Sequence, residues 1–175
     1  MTLPLALAAL LLAAPPDPAL VDQVETLLGS IDTRIPVARW KGLGPAAVPV
    51  LAGIATAGER MPSKRSRALV ALGAADAAEG ERVARALVDA ADAPPTVRQA
   101  AVRTLGHLLD PAGLRAALAP VLRSGPDATL RGVAAETLAR HAPAEGCTEV
   151  IDQVGLEAPG DRVRFERAAT LCAGR

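Results

Sequence analysis

The chain has 175 residues with 19 basic and 19 acidic side chains, so its length suits one domain and its balanced charge argues against a nucleic-acid binder. Half of the residues are apolar, yet only Trp40 and Phe165 are aromatic. A core with so few aromatic residues is built mainly from Ala, Leu and Val, which suit closely packed helices. The composition therefore favours an all-α protein.

The chain begins with an apolar segment from Leu3 to Ala14 that carries no charge. The segment is too short to span a bilayer but fits the hydrophobic region of a secretory signal, and small residues and prolines follow it. No Lys or Arg precedes it, so the alternative is an apolar first helix packed on the repeats. We predict a signal peptide over residues 1–16 and a repeat domain over 17–175, in a periplasmic or secreted protein; without a signal, the protein is cytoplasmic.

Two helices are predicted ahead of the regular part of the chain. Residues 17–29 carry apolar side chains at helical spacing, and Asp17 is a suitable N-cap. A second helix is predicted from about Thr33 to Leu43, with Pro36 near its start. Together they form an irregular leading pair.

The rest of the chain repeats with a period of 33 residues. In each repeat an arginine stands seven residues before a leucine. The four pairs are Arg65 with Leu72, Arg98 with Leu105, Arg131 with Leu138, and Arg164 with Leu171. Each unit is predicted to be a first helix, a short turn and a second helix that carries the arginine and the leucine. The predicted helices are 46–57 and 63–75 in unit one, 81–92 and 96–109 in unit two, 111–124 and 128–141 in unit three, and 144–155 and 161–173 in unit four.

Gly and Pro residues, Gly80 among them, are predicted to mark the joints between these helices. Within the second helices, the position four residues before the leucine is occupied in turn by Ala68, Ala101, Ala134 and Arg167. Small side chains there allow neighbouring helices to approach closely, whereas an arginine needs a face without a neighbour. Arg167 is therefore predicted to mark the end of the array.

The clearest copy of the unit, TVRQAAVRTLGHLLDPAGLRAAL, resembles HEAT repeats, especially the short HEAT-like units also found in bilin-lyase-related proteins. The residues that carry the resemblance in this copy are Val97, Arg98, Ala101, Leu105 and Gly106. The resemblance covers roughly residues 44–173. It implies an all-α fold, an α-solenoid that forms a right-handed superhelix of about five helix pairs including the irregular first one.

The arginine column has two interpretations. In HEAT repeats the acid of a turn usually pairs with the helix arginine, which implies Asp127 with Arg131 and Asp161 with Arg164. The column then stacks the repeats and caps their turns. The alternative is a row that binds anions; we favour the structural interpretation because half-buried arginines need fixed acceptors.

The two cysteines, Cys147 and Cys172, lie at equal distances from the turn at Pro159-Gly160. In an antiparallel helix pair such residues lie side by side, so we predict a structural disulfide, which an oxidising compartment would favour. The alternative is two buried free thiols. Neither cysteine is predicted to lie beside a histidine, so a catalytic cysteine is not expected.

The only histidines, His107 and His141, follow the column leucine in units two and three, where a cation suits the end of a helix. The sequence has no His-x-x-x-His or Cys-x-x-Cys motif. It also lacks the His-Glu pairs with which deoxyhypusine hydroxylases, which are built on similar repeats, hold iron. We therefore predict neither a metal site nor a cofactor.

The function predicted from these patterns is that of a non-enzymatic scaffold. Prolines inside two first helices, Pro49 and Pro120, favour the first helices on the outer side and the second helices on the concave side. The concave face would then present Gln99, Arg103 and Glu136 to a partner. Arg103 and Glu136 share one repeat column, whose unit-one member is Val70. Such a mixed face suits a protein rather than nucleic acid. The alternatives are an accessory subunit or bilin-lyase-like enzyme, and a purely structural spacer.

Overall fold

The computed structural model describes residues 15–30 and 35–174; the predicted signal peptide falls mostly within residues 1–14, outside this part. The described residues form ten α-helices and no strand. These are α1 (Pro18–Gly29), α2 (Val37–Lys41), α3 (Ala47–Thr56), α4 (Pro62–Ala75), α5 (Ala77–Asp89), α6 (Pro95–Leu108), α7 (Pro111–Ser124), α8 (Ala128–His141), α9 (Pro143–Leu156) and α10 (Pro159–Ala173). The all-α prediction is confirmed.

The helices pack in consecutive pairs that are stacked in two rows. One row consists of the second helices of the pairs, and the other of the first helices. In the second-helix row, α2 packs on α4, α4 on α6, α6 on α8 and α8 on α10. In the first-helix row, α1 packs on α3 and α3 on α5, and α7 packs on α9. The irregular leading pair therefore contributes one helix to each row, and the predicted helical-repeat solenoid is observed.

Alanine and leucine columns form the centre of the stack. Ala68, Ala101 and Ala134 are fully buried, and so are the column leucines of units one to three. Leu171 is only half-buried and Arg167 is exposed, because none of the described helices packs on the outer side of α10. The small side chains thus lie where successive second helices meet.

The joint between α4 and α5 differs from the prediction. Asp76 ends α4 and also caps α5, its carboxylate accepting a hydrogen bond from the Glu79 amide at 3.0 Å, so α5 begins at Ala77 rather than at residue 81. Gly80 is consequently not a joint residue but lies inside α5. A Cβ at Gly80 would lie 2.5 Å from the Cα of Gly73, so the two helices meet backbone to backbone.

The second helix of the leading pair is shorter than predicted. It comprises only Val37–Lys41, because Pro36 has extended backbone angles (ψ 147°) and stands before the helix as its cap. Residues 31–34, where the predicted helix would begin, lie outside the described part. Trp40 is nevertheless buried, and it fixes this short helix against the stack.

The two cysteines are brought together in unit four. Cys147 lies in the first turns of α9 and Cys172 near the end of α10, and a disulfide joins them with a Cα–Cα distance of 5.7 Å. No free cysteine is present among the described residues. The disulfide therefore links the two helices of the last pair.

Candidate functional site

Three of the column arginines cap the ends of first helices. Each guanidinium donates to a carbonyl at the C-terminal end of the first helix of its own unit, where carbonyls lack a helical partner and a positive charge is favourable. The bonds are Arg65 Nε to Ala55 O (3.1 Å), Arg98 Nη2 to Val88 O (2.9 Å) and Arg131 Nη1 to Gly125 O (3.0 Å). These arginines join the two rows and do not face solvent as an anion-binding row.

In unit four the column arginine, Arg164, does not cap the first helix. Arg164 is exposed, and its aliphatic part lies across Gly132 of α8, where a Cβ would overlap the Arg164 Cδ. The capping bond comes instead from Arg162, whose Nη2 donates to the Glu157 carbonyl at 3.3 Å. Arg164 thus lies on the surface between α8 and α10, unlike the other three column arginines.

The acid–arginine pairs implied by the HEAT resemblance do not form in the described residues. Arg131 instead binds both carboxylate oxygens of Glu157, at 2.8 Å and 2.6 Å, and thereby joins unit three to unit four. The Asp127 carboxylate caps α8 by accepting from the Leu130 amide at 2.8 Å. Asp161 and Arg164 line the same groove but make no ion pair there.

Burial and hydrogen bonding shift the pKa of the Glu157 carboxyl in opposite directions. The residue is only 4% exposed. The bonds from Arg131 hold the pKa of the Glu157 carboxyl below its usual value, burial opposes them, and a bond from the Gln153 amide (2.8 Å) acts with them. Because Glu157 lies in the turn of the following unit, local spacing around Arg131 gives no sign of the pair.

The solvent-facing side of the second-helix row is a series of four open grooves, which we call the second-helix face. They lie between α2 and α4 beside the end of α1, between α4 and α6, between α6 and α8, and between α8 and α10. Neighbouring grooves share lining residues: Val70 belongs to the first two, His107 to the second and third, and Glu136 to the third and fourth. The face is therefore one continuous surface across all the units.

The α2 end of the face is apolar. Val37 and Val70 are 54% and 56% exposed there, above the buried ring of Trp40. Two cations border this apolar patch, Arg67 in the first groove and Lys41 in the second. None of these residues except Val70 was expected from the sequence, because the docking of α2 on α4 follows from no repeat.

The centre of the face contains two of the three predicted partner-binding residues. Arg103 and Glu136 both line the groove between α6 and α8, where Glu136 accepts a bond from Arg140 at 2.8 Å. Gln99 is half-buried in α6 and is not among the lining residues of this groove. Arg140 could have been found from the sequence, since it lies one helical turn after Glu136.

The two histidines meet in the same groove. The ring centroids of His107 and His141 are 4.9 Å apart with the ring planes nearly perpendicular. Gly106 allows this approach, because a Cβ there would lie 2.5 Å from the Thr137 Cγ2. Burial lowers the pKa of His141, and the neighbouring His107 and Arg140 lower it further. Across residues 15–30 and 35–174, no three His, Cys, Asp or Glu side chains gather as metal ligands.

The chain matches no family model, no curated protein and no solved structure. Within the described part, none of the helices has the length and apolar character needed to cross a bilayer. The chemistry of the second-helix face is therefore the main guide to function.

Proposed function

We propose that this protein is a non-enzymatic interaction scaffold, built from HEAT-like repeats, that binds a protein partner along the second-helix face. The observation that carries the proposal is the continuity of the face, whose open grooves share residues from α2 to α10. An extended open surface suits a macromolecular segment, whereas small ligands are usually held in enclosed pockets.

The packing of the two rows supports a concave second-helix face. Second helices are in unbroken contact from α4 to α10, whereas a gap lined by Pro120, Val121 and Leu130 lies between the ends of α5 and α7. Helices on the inner side of a curved stack are closer together than those on the outer side. Exposed Pro49 and Pro120 in the first helices are consistent with this arrangement.

Side-chain chemistry on the face favours binding over catalysis. Glu136 is engaged by Arg140, and the two imidazoles contact each other edge to face rather than an acid that would orient them. Both thiols of the described chain are used in the disulfide. Scaffold function requires none of these groups to be activated.

We place the protein in an oxidising compartment, the periplasm or the cell exterior, and the bond between Cys147 and Cys172 supports this location. If the location is correct, protein recovered from its native host has lost residues 1–16 or nearly so. N-terminal sequencing measures this directly, and recovery of chains that retain Met1 would contradict export through a cleaved signal.

A pair of charge-swap variants tests the binding face. Arg103→Glu with Glu136→Arg reverses two charges on the face and leaves the net charge unchanged. The matched control, Arg85→Glu with Glu81→Arg, swaps an exposed ion pair (2.8 Å) within α5 of the first-helix row. Proteins captured by the wild type from host extract should be retained by the control and lost by the face variant. Equal capture by all three proteins would show that the partner binds elsewhere.

A further inference from the structure

The neutral overall charge conceals a difference between the two rows. The second helices α4, α6, α8 and α10 carry ten Arg and Lys against three Asp and Glu, a surplus of seven positive charges. The first helices α1, α3, α5, α7 and α9 carry four against eight, a surplus of four negative charges. The stack is therefore electrically polarised from one row to the other.

Half of the second-helix cations have structural partners away from the face. Four arginines donate to carbonyls of first helices, and Lys64 pairs with Glu25 of α1. The five that line the second-helix face are Arg67, Arg103, Arg140, Arg164 and Arg167. With Lys41 from α2, the grooves contain six cations against two acids, Glu136 and Asp161.

One of these cations has an unsatisfied donor. The Nε of Arg67 is buried in the groove between α2 and α4, and it has no acceptor among the described residues. A buried guanidinium N–H without an acceptor is unfavourable, and a carboxylate is the acceptor that matches it best. Val37 and Val70 line the same groove, so a ligand that supplies the carboxylate there also meets exposed apolar side chains.

The composition of the face distinguishes an acidic peptide from nucleic acid. Single-stranded nucleic acid binds by stacking bases on aromatic rings, and here Trp40 and Phe165 are both buried. Glu136 and Asp161 stand among the arginines, where they would repel a continuous line of phosphates. Separate carboxylates on a peptide can avoid these two positions.

We infer that the second-helix face receives an acidic peptide segment of the partner, with carboxylates over Arg67 and over the face arginines of α6 and α10, and apolar side chains over Val37 and Val70. This inference rests on the proposed scaffold function and specifies the chemistry of its partner. Charge complementarity supplies fast association and orientation, and the apolar end supplies buried area.

The probes for the test are short fluorescent peptides that contain several Glu residues and a Leu-Val pair at one end. Versions with Lys in place of Glu, and a single-stranded oligothymidylate, serve as comparison ligands, and binding is followed by fluorescence anisotropy. The acidic peptides should bind the wild-type protein, the Lys versions should not, and added salt should weaken binding. Tighter binding of oligothymidylate, or equal binding of the Lys peptides, would overturn the inference.

Two variants locate the binding of the acidic peptide. Arg103→Ser with Arg167→Ser should weaken it by about ten-fold or more, since two charge-assisted contacts are lost. Val70→Ser should weaken the acidic peptides that carry the Leu-Val pair, but not acidic peptides in which that pair is replaced by two serines. Arg82→Ser with Arg85→Ser removes two charges from α5 and should leave the affinity unchanged. Equal affinity in the Arg103 and Arg167 variant would overturn the inference.

Failure of the inference can be separated from failure of the scaffold proposal. If the face charge swap abolishes capture of a host partner but acidic peptides do not bind, the face recognises a different chemistry and only the inference falls. If the face variants change neither the capture of the host partner nor the binding of the peptides, both the inference and the scaffold proposal are wrong.

Discussion

At the scale of single residues, the pair formed by Arg131 and Glu157 is the polar contact on which the junction of units three and four depends. The Glu157 side chain is 2% exposed, and its carboxylate accepts hydrogen bonds from the Arg131 guanidinium and from the Gln153 amide. Arg131 also caps α7, so one side chain joins the end of α7 to the turn after α9. Loss of the carboxylate therefore affects two units at once.

Glu157→Gln is expected to destabilise the protein at neutral pH by about 1–2 kcal/mol, since the Arg131 guanidinium loses its counter-charge and one of its two acceptor oxygens. The effect depends on pH, because the folded-state pKa of Glu157 lies below its ordinary value. Its contribution is fully present above the ordinary carboxyl pKa and is lost as pH falls through the lowered folded-state pKa. Urea denaturation of both proteins from neutral to acidic pH measures this difference.

The control is Glu81→Gln, which changes the exposed pair with Arg85 on α5. Exposed pairs contribute about 0–1 kcal/mol, so this variant should differ little from the wild type at any pH. A Glu157→Gln effect that persists undiminished in acid would show that the charge of Glu157 is not its cause.

At the scale of elements, the close approach of α4 and α5 depends on two glycines. The Cα of Gly73 lies only 2.5 Å from the place where a Cβ on Gly80 would be, and the Leu108 side chain of α6 lies beside both glycines. The neighbouring atoms at Gly80 are backbone atoms, which cannot move aside as a flexible side chain can. The one-residue joint at Asp76 holds the two helices at this distance.

Gly80→Ala should therefore separate α4 from α5 and destabilise the protein by about 1–3 kcal/mol, despite the better helix propensity of Ala. The matched control is Gly53→Ala in the interior of α3, where a Cβ would meet nothing within 4 Å. That variant should be stabilised by about 0.5–1 kcal/mol. Thermal denaturation followed by circular dichroism compares the two, and equal shifts would contradict close packing at Gly80.

The regular elements could be predicted because their information is local. Helices α7 and α8 have the predicted bounds, and the buried Ala101 and Leu105 follow from the 33-residue period. Helix α5 was placed four residues late because Gly80 resembles a joint residue until its contact with Gly73 is known. A glycine required for close packing and a glycine that ends a helix are identical in sequence.

The candidate site was only partly predictable for a related reason. Arg103 and Glu136 were found because they share one repeat column, but Arg67 and Lys41 gain their significance from the packing of α2 on α4. Glu157 was missed as an arginine partner because it lies 26 residues from Arg131. The charge difference between the rows could have been read from the sequence, but only by counting each helix separately rather than the whole chain.

At the scale of the whole molecule, each unit contacts chiefly its neighbours, so the pairs at the two ends of the stack have less support than the units between them. Among the described helices, units one to three have neighbours on both sides, whereas α1 and α2 pack only on unit one and α9 and α10 only on unit three. The disulfide lies in this last pair, where it joins the beginning of α9 to the end of α10. It strengthens a pair that has a neighbouring unit on one side only.

Replacing both cysteines by serine should therefore destabilise the last pair by about 3 kcal/mol, because the bond closes a loop between residues 25 positions apart. In a stack of nearest neighbours the change should be local. Hydrogen exchange should become faster in α9 and α10, less so in α7 and α8, and stay unchanged in α3 and α4. Wild-type protein treated with a reductant should show the same pattern. Uniformly faster exchange in all helices would instead mean that the chain unfolds as one cooperative unit, so that the disulfide stabilises every unit equally.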